Sequence, residues 1–480
     1  MEQLRGLDAA FVAVETATMH MHMGVVLLLE PPAREERGRE GFCRFRAMVA
    51  ERLHLAPPLR RRVVEVPFGI HHPVWIEDPE FDLDAHLHRC ALPDPGSPEE
   101  LSSLVGEIMG RPLSRRRPLW EMHYVEGLES GYVAVVVKIH HAALDGVAGV
   151  ALLAAFMDLS EDQPAPEPPL REWCPDPVPT PSEMLLHGLA SLGREPEKAL
   201  SLARRSIEVL RDIGSPGDPL SLDWSMRRPP LPFEAPRAPF NGQISPERNT
   251  AFVEVSLAEI REVAKAFDCR VNDVVLAAVG GALRRLMVRR DELLADDLVA
   301  LVPVSMRSEV VPGDLGNQVS AMLVGLGTSI QDPLVRLQRV REGSTAAKEQ
   351  CEELPGDLLE AWAGLAVPAV GGRLSRLAGS LAMVDRAPPP FNVVVSNLPG
   401  PPVSLFSAGR RLAGVYPLGP VVEGVGLNVT VMSYAGAMYF GLLGCPALLP
   451  DIGFLAVHLR ESLTELVKLA GRAQPGPLIS

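Results

Sequence analysis

Residues Ala134 to Ala151 read AVVVKIHHAALDGVAGVA. The apolar, β-branched run Val135-Val136-Val137-Lys138-Ile139 predicts a buried strand. It ends in His140-His141, a short turn follows with Asp145-Gly146, and an apolar helical pattern runs on to Phe156. Binding and catalytic groups gather on loops that a rigid scaffold holds at strand ends. A histidine takes and returns a proton near neutral pH. Two adjacent histidines at a strand end point to opposite sides, so only one can face a given cavity. Asp145 can turn back to brace the loop or fix a histidine tautomer. Gly146 permits a positive φ or a close backbone approach at the turn.

A histidine pair alone carries little, because one buried, hydrogen-bonded histidine would explain it. The chain supplies its own control. His71-His72 is followed by Pro73-Val74-Trp75, with no Asp-Gly after it, and reads as ordinary loop. His141 and Asp145 are also four apart, a spacing that could hold zinc, but no third ligand is evident nearby. No metal is therefore expected there.

Working outward, Tyr132 to Ile139 reads as the second arm of a hairpin whose first arm is Met122 to Val125, with Glu129-Ser130-Gly131 between them. Ser97-Pro98 starts a helix running to about Met109, with Ser97 as N-cap and Pro98 in the first turn. Met19 to Glu30 reads as a strand on which Met19, Met21 and Met23 share one face and His20 and His22 the other. Its histidines are expected in surface or hydrogen-bonded roles, with cavity lining as the sharper alternative. Leu7 to Phe11 and Gly41 to Leu55 read as helices, and Leu59 to Val66 and Pro73 to Glu77 as strands.

Beyond Leu159 the composition changes to Pro, Glu and Asp, a linker signature, interrupted by a helical stretch at 183–213. The second half starts near Phe240. Strands are expected at 250–255, 298–304, 319–326, 392–397, 426–433 and 437–444, and helices at 257–267, 271–287, 333–351 and 451–469. Asn272 is expected to cap the helix it opens. The division is thus 1–160, a crossover at 161–239, and 240–480. Both halves mix strands and helices, so the fold class is α/β (α+β), two sandwich domains with mixed sheets joined by a long, partly helical linker.

At 480 residues the chain exceeds one typical core, which agrees with two domains. A hydrophobic share of 47% with 22% charged residues is that of a globular protein. The formal net charge of −14 argues against nucleic acid as a main partner. Arg60-Arg61-Arg62 and Arg115-Arg116-Arg117 read as solvated faces as readily as membrane-facing patches. The six cysteines are scattered without a CxxC pair, which fits a reduced, cytoplasmic setting. The start, Met1-Glu2-Gln3-Leu4-Arg5, is not a signal peptide. No uncharged apolar stretch reaches the ~18 residues of a spanning helix, so any membrane contact is expected to be peripheral. There is no P-loop, no GxGxxG after a strand and no GxSxG elbow, which disfavours nucleotide-binding and serine-hydrolase readings.

The pattern His140-His141-x-x-x-Asp145-Gly146 resembles the HHxxxDG motif of CoA-dependent acyltransferases. Further stretches are similar, in order and nearly end to end, to bacterial wax ester synthase/acyl-CoA:diacylglycerol acyltransferases: LDAAF from Leu7, MHMG from Met21, RPLWE from Arg117, VND from Val271, VPVSMR from Val302, GN at 316–317 and SNLPGP from Ser396. The resemblance implies two chloramphenicol-acetyltransferase-like domains with a tunnel between them. It implies transfer of a long-chain acyl group from acyl-CoA, a co-substrate, to diacylglycerol (triacylglycerol synthesis) or a fatty alcohol (wax ester synthesis), with no bound cofactor. His141 would be the general base, His140 a support, Asp145 a brace and Gly146 the turn. Pro118, Leu119, Trp120, Asn272 and Asp273 are implied in function, and Ser396 and Asn397 are candidate oxyanion donors, though each type is more often a turn-former. The resemblance also implies a cytoplasmic protein peripheral to the inner membrane or to lipid inclusions. Two rival readings stand beside this one. One is a condensation-type acyltransferase fed by a carrier protein. The other is a non-catalytic lipid-binding or droplet-surface protein of the same fold.

Overall fold

The computed structural model describes residues 2–4, 6–31, 39–67, 72–144, 149, 155–169, 173–175, 177–180, 182–184, 229–305, 319–353 and 388–473. The strands are β1 (Glu2–Gln3), β2 (His22–Leu29), β3 (Arg61–Val64), β4 (Val74–Glu77), β5 (Leu87–Ala91), β6 (Trp120–Glu126), β7 (Val133–His140), β8 (Asn249–Ser256), β9 (Val299–Ser305), β10 (Val319–Gly325), β11 (Val393–Pro399), β12 (Phe406–Ser407), β13 (Arg410–Leu418), β14 (Leu427–Tyr434) and β15 (Ala437–Gly444). The helices are α1 (Gly6–Val14), α2 (Arg39–Arg52), α3 (Pro98–Gly110), α4 (Leu257–Ala266), α5 (Val271–Arg289), α6 (Pro333–Glu353) and α7 (Ile452–Ala473).

The first six-stranded sheet has the order β12-β13-β2-β7-β6-β5. The histidine strand β7 lies inside it and is buried everywhere except at Val137. That double burial explains a continuous β-branched run in place of an alternating one. One face, with Ala134 and Val136, packs on α3; the other, with Val133, Val135 and Ile139, joins the cluster of Phe45, Met48 and Val49 from α2. Helix α3 starts as its sequence predicts. The Ser97 hydroxyl accepts the Glu100 N–H, the Glu100 carboxylate accepts the Ser97 N–H, and Pro98 fills the first turn. A small sheet of order β1-β4-β3 lies beside this half.

The second six-stranded sheet has the order β10-β9-β11-β14-β15-β8, with β11 parallel to both of its neighbours. Helices α4 to α7 cover it over one aliphatic cluster that includes Val274, Leu283, Val431 and Leu459. Asp273, not Asn272, caps α5: its carboxylate accepts the Arg270 N–H at 2.8 Å and the Ser344 hydroxyl at 2.5 Å.

Strand β13 has no counterpart in the sequence reading. It leaves the second half and pairs antiparallel with β2, with Pro417 opposite Val25 and a register shift between Leu412 and Gly414. Proline is confined to sheet edges and bulges, and Pro417 lies beyond the short pairing with β12, where β13 is the edge. The expected second region, 240–480, thus completes the sheet of the first, and pairing crosses the expected boundary. The two sheets then touch closely. A Cβ on Gly441 of β15 would stand 1.9 Å from the Pro417 carbonyl, so only glycine fits. Likewise a Cβ on Gly106 of α3 would meet the Arg248 carbonyl at 2.4 Å.

The crossover rests on β4 where it is described. Trp173 Nε1 donates to Glu77 Oε2 at 2.9 Å, and Met184 packs on Val74 and Ile76. Most of the helix expected at 183–213 lies outside the described residues, as do Met306-Arg307 and Gly316-Asn317. Among the described residues, no helix is long and apolar enough to cross a membrane.

Candidate active site

The pairing of β2 with β7 sets His22 directly across from His140. The His141 N–H continues the ladder, donating to the Met21 carbonyl at 2.7 Å. Alternation then sends the two motif histidines to opposite sides. His140 is sealed, 1% exposed. Its Nδ1 accepts the Ala142 N–H at 3.0 Å, which places any proton of the neutral ring on Nε2. Its own N–H donates to the Leu119 carbonyl at 2.9 Å. Burial, with His22, His141 and Arg115 adding to it against the pull of Glu15, lowers its pKa to about 3. His140 is therefore neutral at physiological pH. His141 is only partly buried, and its ring lies 4.4 Å from that of Phe11 on α1, centroid to centroid.

Behind His140 lies a buried polar network that sequence reasoning missed. Glu15 Oε1 is 3.4 Å from His22 Nε2 and 3.8 Å from His140 Nε2. Arg115 donates to Glu15 Oε2 through Nε at 3.1 Å and through an Nη at 2.7 Å, and to the Val12 carbonyl at 2.7 Å. Burial alone would raise the Glu15 pKa. The His22 hydrogen bond, His140 and Arg115 outweigh it and hold the carboxyl at about 2. His20 stacks on His22 with centroids 5.4 Å apart, and its Nε2 meets the Gly110 carbonyl at 3.1 Å. Burial first, then His22 and Arg248, lower its pKa to about 4. The hydrogen-bonded role expected for His20 and His22 is what the structure has. Arg115 is partly buried while Arg116 and Arg117 are exposed, so one arginine of that run enters the protein. The available signal was Glu15 itself, a lone carboxylate in the apolar context FVAVETATM.

Pro118, Leu119 and Trp120 form the wall behind the motif. Leu119 is buried and accepts from His140, as above. Trp120 is buried, stacks on His86 at 4.5 Å and donates from Nε1 to the Leu59 carbonyl at 2.7 Å. In the second half, Asn397 Nδ2 donates to Asn272 Oδ1 at 3.4 Å, which joins β11 to the start of α5. Ser396 precedes Asn397 on β11, opposite Thr430 of β14. The two groups of residues sit on different sheets. Ile139 and Leu144 beside the motif and Leu398 beside Asn397 share one apolar cluster. Asp145 and Gly146 lie outside the described residues.

Two family models match the chain, the wax ester synthase/diacylglycerol acyltransferase catalytic domain over residues 4–275 and the WS/DGAT C-terminal domain over 315–467. A Mycobacterium tuberculosis H37Rv protein provisionally named diacylglycerol O-acyltransferase is 35% identical, over 98% of this chain and 90% of its own. The solved wax ester synthase/diacylglycerol acyltransferase from Marinobacter aquaeolei VT8 superposes with a TM-score of 0.70 at 27% identity, covering 98% of this chain and all of that one. The first condensation domain of the calcium-dependent antibiotic synthetase shares the fold alone, with a TM-score of 0.55 at 15% identity, covering 99% of this chain and 97% of its own.

Proposed function

The chain belongs to the wax ester synthase/diacylglycerol acyltransferase family, and from that premise we propose that it is an acyl-CoA-dependent O-acyltransferase with His141 as its general base. The acyl group is long-chain, and the acceptor is the hydroxyl of a diacylglycerol or a fatty alcohol. One observation carries the assignment of the base: of the paired histidines, His140 is sealed and held neutral, while His141 is partly buried at the strand end.

His141 takes the proton of the acceptor hydroxyl as its oxygen attacks the thioester carbonyl. The tetrahedral oxyanion collapses, the C–S bond breaks, and the CoA sulfur leaves with the proton that His141 returns. A thiol with a pKa near ~8.5 is a fair leaving group, so no acyl-enzyme is needed. One general base supplies about 10²–10⁴-fold, and positioning in a closed site supplies much of the rest. His140 holds the turn through the Ala142 N–H, and Glu15, itself held by His22, and the Leu119 carbonyl hold His140. Pro118, Leu119 and Trp120 are positioning residues in this reading. Ser396 and Asn397 are candidate oxyanion donors, with Asn272 orienting the amide; removing such a donor has cost about 2.7–4 kcal/mol elsewhere. Asp145 braces the turn and Gly146 allows it. Both lipid acceptors reside in lipid phases, so the protein works at a membrane or lipid-inclusion surface by peripheral contact.

The test measures thiol release from palmitoyl-CoA with 1,2-diacylglycerol or hexadecanol, using wild type and His141→Ala. Acceptor-dependent release falling by about 10²–10⁴ in a variant of unchanged melting temperature is the expected result. Wild-type turnover by the folded variant would remove His141 from the role.

A further inference from the structure

Strands β5 and β6 run parallel at the edge of the first sheet, with His88 beside His123 and Cys90 beside Val125. Side chains two apart on one strand share a face. Glu121 and His123 of β6 therefore sit on the same face as His88 and Cys90 of β5. One ligand atom each from His88, Glu121 and His123 lies within 4.8 Å of the others. We propose that His88, Glu121 and His123 form a binding site for one divalent transition-metal ion of the zinc class.

The spacing suits such an ion. His123 Nε2 stands 3.1 Å from Glu121 Oε1. Two ligand atoms with bonds of 2.0–2.1 Å in a tetrahedral shell are separated by about 3.3 Å, a spacing that Glu121 Oε2 has to meet, since Lys138 holds Oε1. The His88 and His123 rings are 4.8 Å apart, centroid to centroid, and tilted by 37°. Among the described residues the His88 ring has no hydrogen-bond partner, which lets it turn a lone pair toward the pair beside it.

The ligands are also supported from behind, as metal ligands usually are. His123 Nδ1 faces Cys90 Sγ at 3.8 Å, a contact that orients the ring so that Nε2 points to Glu121. Lys138 Nζ holds Glu121 Oε1 at 2.7 Å and is itself held at 2.7 Å by the Ile108 and Arg111 carbonyls at the end of α3. Part of the Lys138 charge is thus spent on the carbonyl end of a helix, and Glu121 keeps a second oxygen for a cation. Three protein ligands leave a fourth position to water. The alternative is a plain hydrogen-bonded cluster, Lys138–Glu121–His123, with His88 stacked on it. That arrangement has no use for an ion.

The experiment dialyses the intact protein against zinc, and separately cobalt, and removes free metal before elemental analysis. Wild type is expected to retain one ion per chain, to show the visible bands of four-coordinate cobalt and to melt higher with zinc. His88→Gln with wild-type circular dichroism is expected to lose all three, whereas Cys90→Ser keeps the stoichiometry because Cys90 is not a ligand. Failure of wild type itself to retain an ion overturns the proposal whatever the variants do. Equal retention by wild type and a folded His88→Gln overturns it as well.

Discussion

The two six-stranded sheets solve burial in opposite ways. The second rests on a single aliphatic cluster, and its buried charges stand at the ends of elements, Asp273 and Arg336 at the starts of α5 and α6 and Arg248 just before β8. The first buries Lys138, His140, His22 and His20 within its own strands and approach, with Glu15 and Glu121 against them. Burying charge costs several kcal/mol per ion before pairing offsets it, so a sheet built for stability alone would resemble the second. The polar interior of the first sheet lies directly behind the histidine turn, where the structure holds groups in place at the expense of stability.

The comparison breaks most visibly at Leu283, fully buried in the second core. Leu283→Ala should lower unfolding free energy by about 2–5 kcal/mol through lost burial and a cavity. The folded fraction should still turn over as wild type does. Denaturant unfolding beside thiol-release kinetics checks this, and a large kcat change would mean the second sheet is no passive partner.

Glu15→Gln sharpens the contrast, since it keeps the shape and removes the charge. Among the described residues Arg115 then keeps a carboxylate at Glu65, 2.9 Å away. A loss of about 1–3 kcal/mol is expected, with kcat falling more than KM rises, because His140 loses its orienting charge. Unchanged kcat would reduce Glu15 to a structural group.

A graded effect, rather than an all-or-none one, comes from pH. His140 and His20 have folded pKa values of about 3 and about 4, below the ordinary 6.5. The unfolded chain therefore takes up protons first as pH falls below 6.5. Stability should decline from there toward pH 4 by about 1 kcal/mol per pH unit for each proton. Melting temperatures across that range test it, and His20→Gln should flatten the slope.

Local chemistry was legible along the chain. The Val135–Val137 run, the Ser97 cap and the alternation of His20 and His22 each announce their own structure, because strand burial, capping and side-chain direction depend on neighbours in sequence. Asp145 and Gly146 were readable as part of a motif. What stayed hidden depends on register. Nothing near Glu15 tells that His22 and His140 will lie opposite each other, or near Trp120 that His88 will run beside His123. Strand β13 was hidden for the same reason. Its sequence, RRLAGVYPL, carries a glycine and a proline, and its pairing with β2 makes it a strand. Asn272 was misread as a cap because Asn and Asp are both good caps, and the carboxylate one residue later reached the Arg270 N–H.

That pairing of β13 with β2 also sets an order of assembly. Strand β2 emerges early from the ribosome with one edge bare, and its mate on that side does not exist until Pro417 has been synthesised. Until then the nascent chain displays an apolar edge, Val25-Val26-Leu27-Leu28-Leu29, of the kind that recruits other strands. A fragment stopped at residue 239 would keep that edge for good and should aggregate. A full-length chain nicked within the crossover should instead run as one particle, its two pieces stitched together by a strand neither can do without.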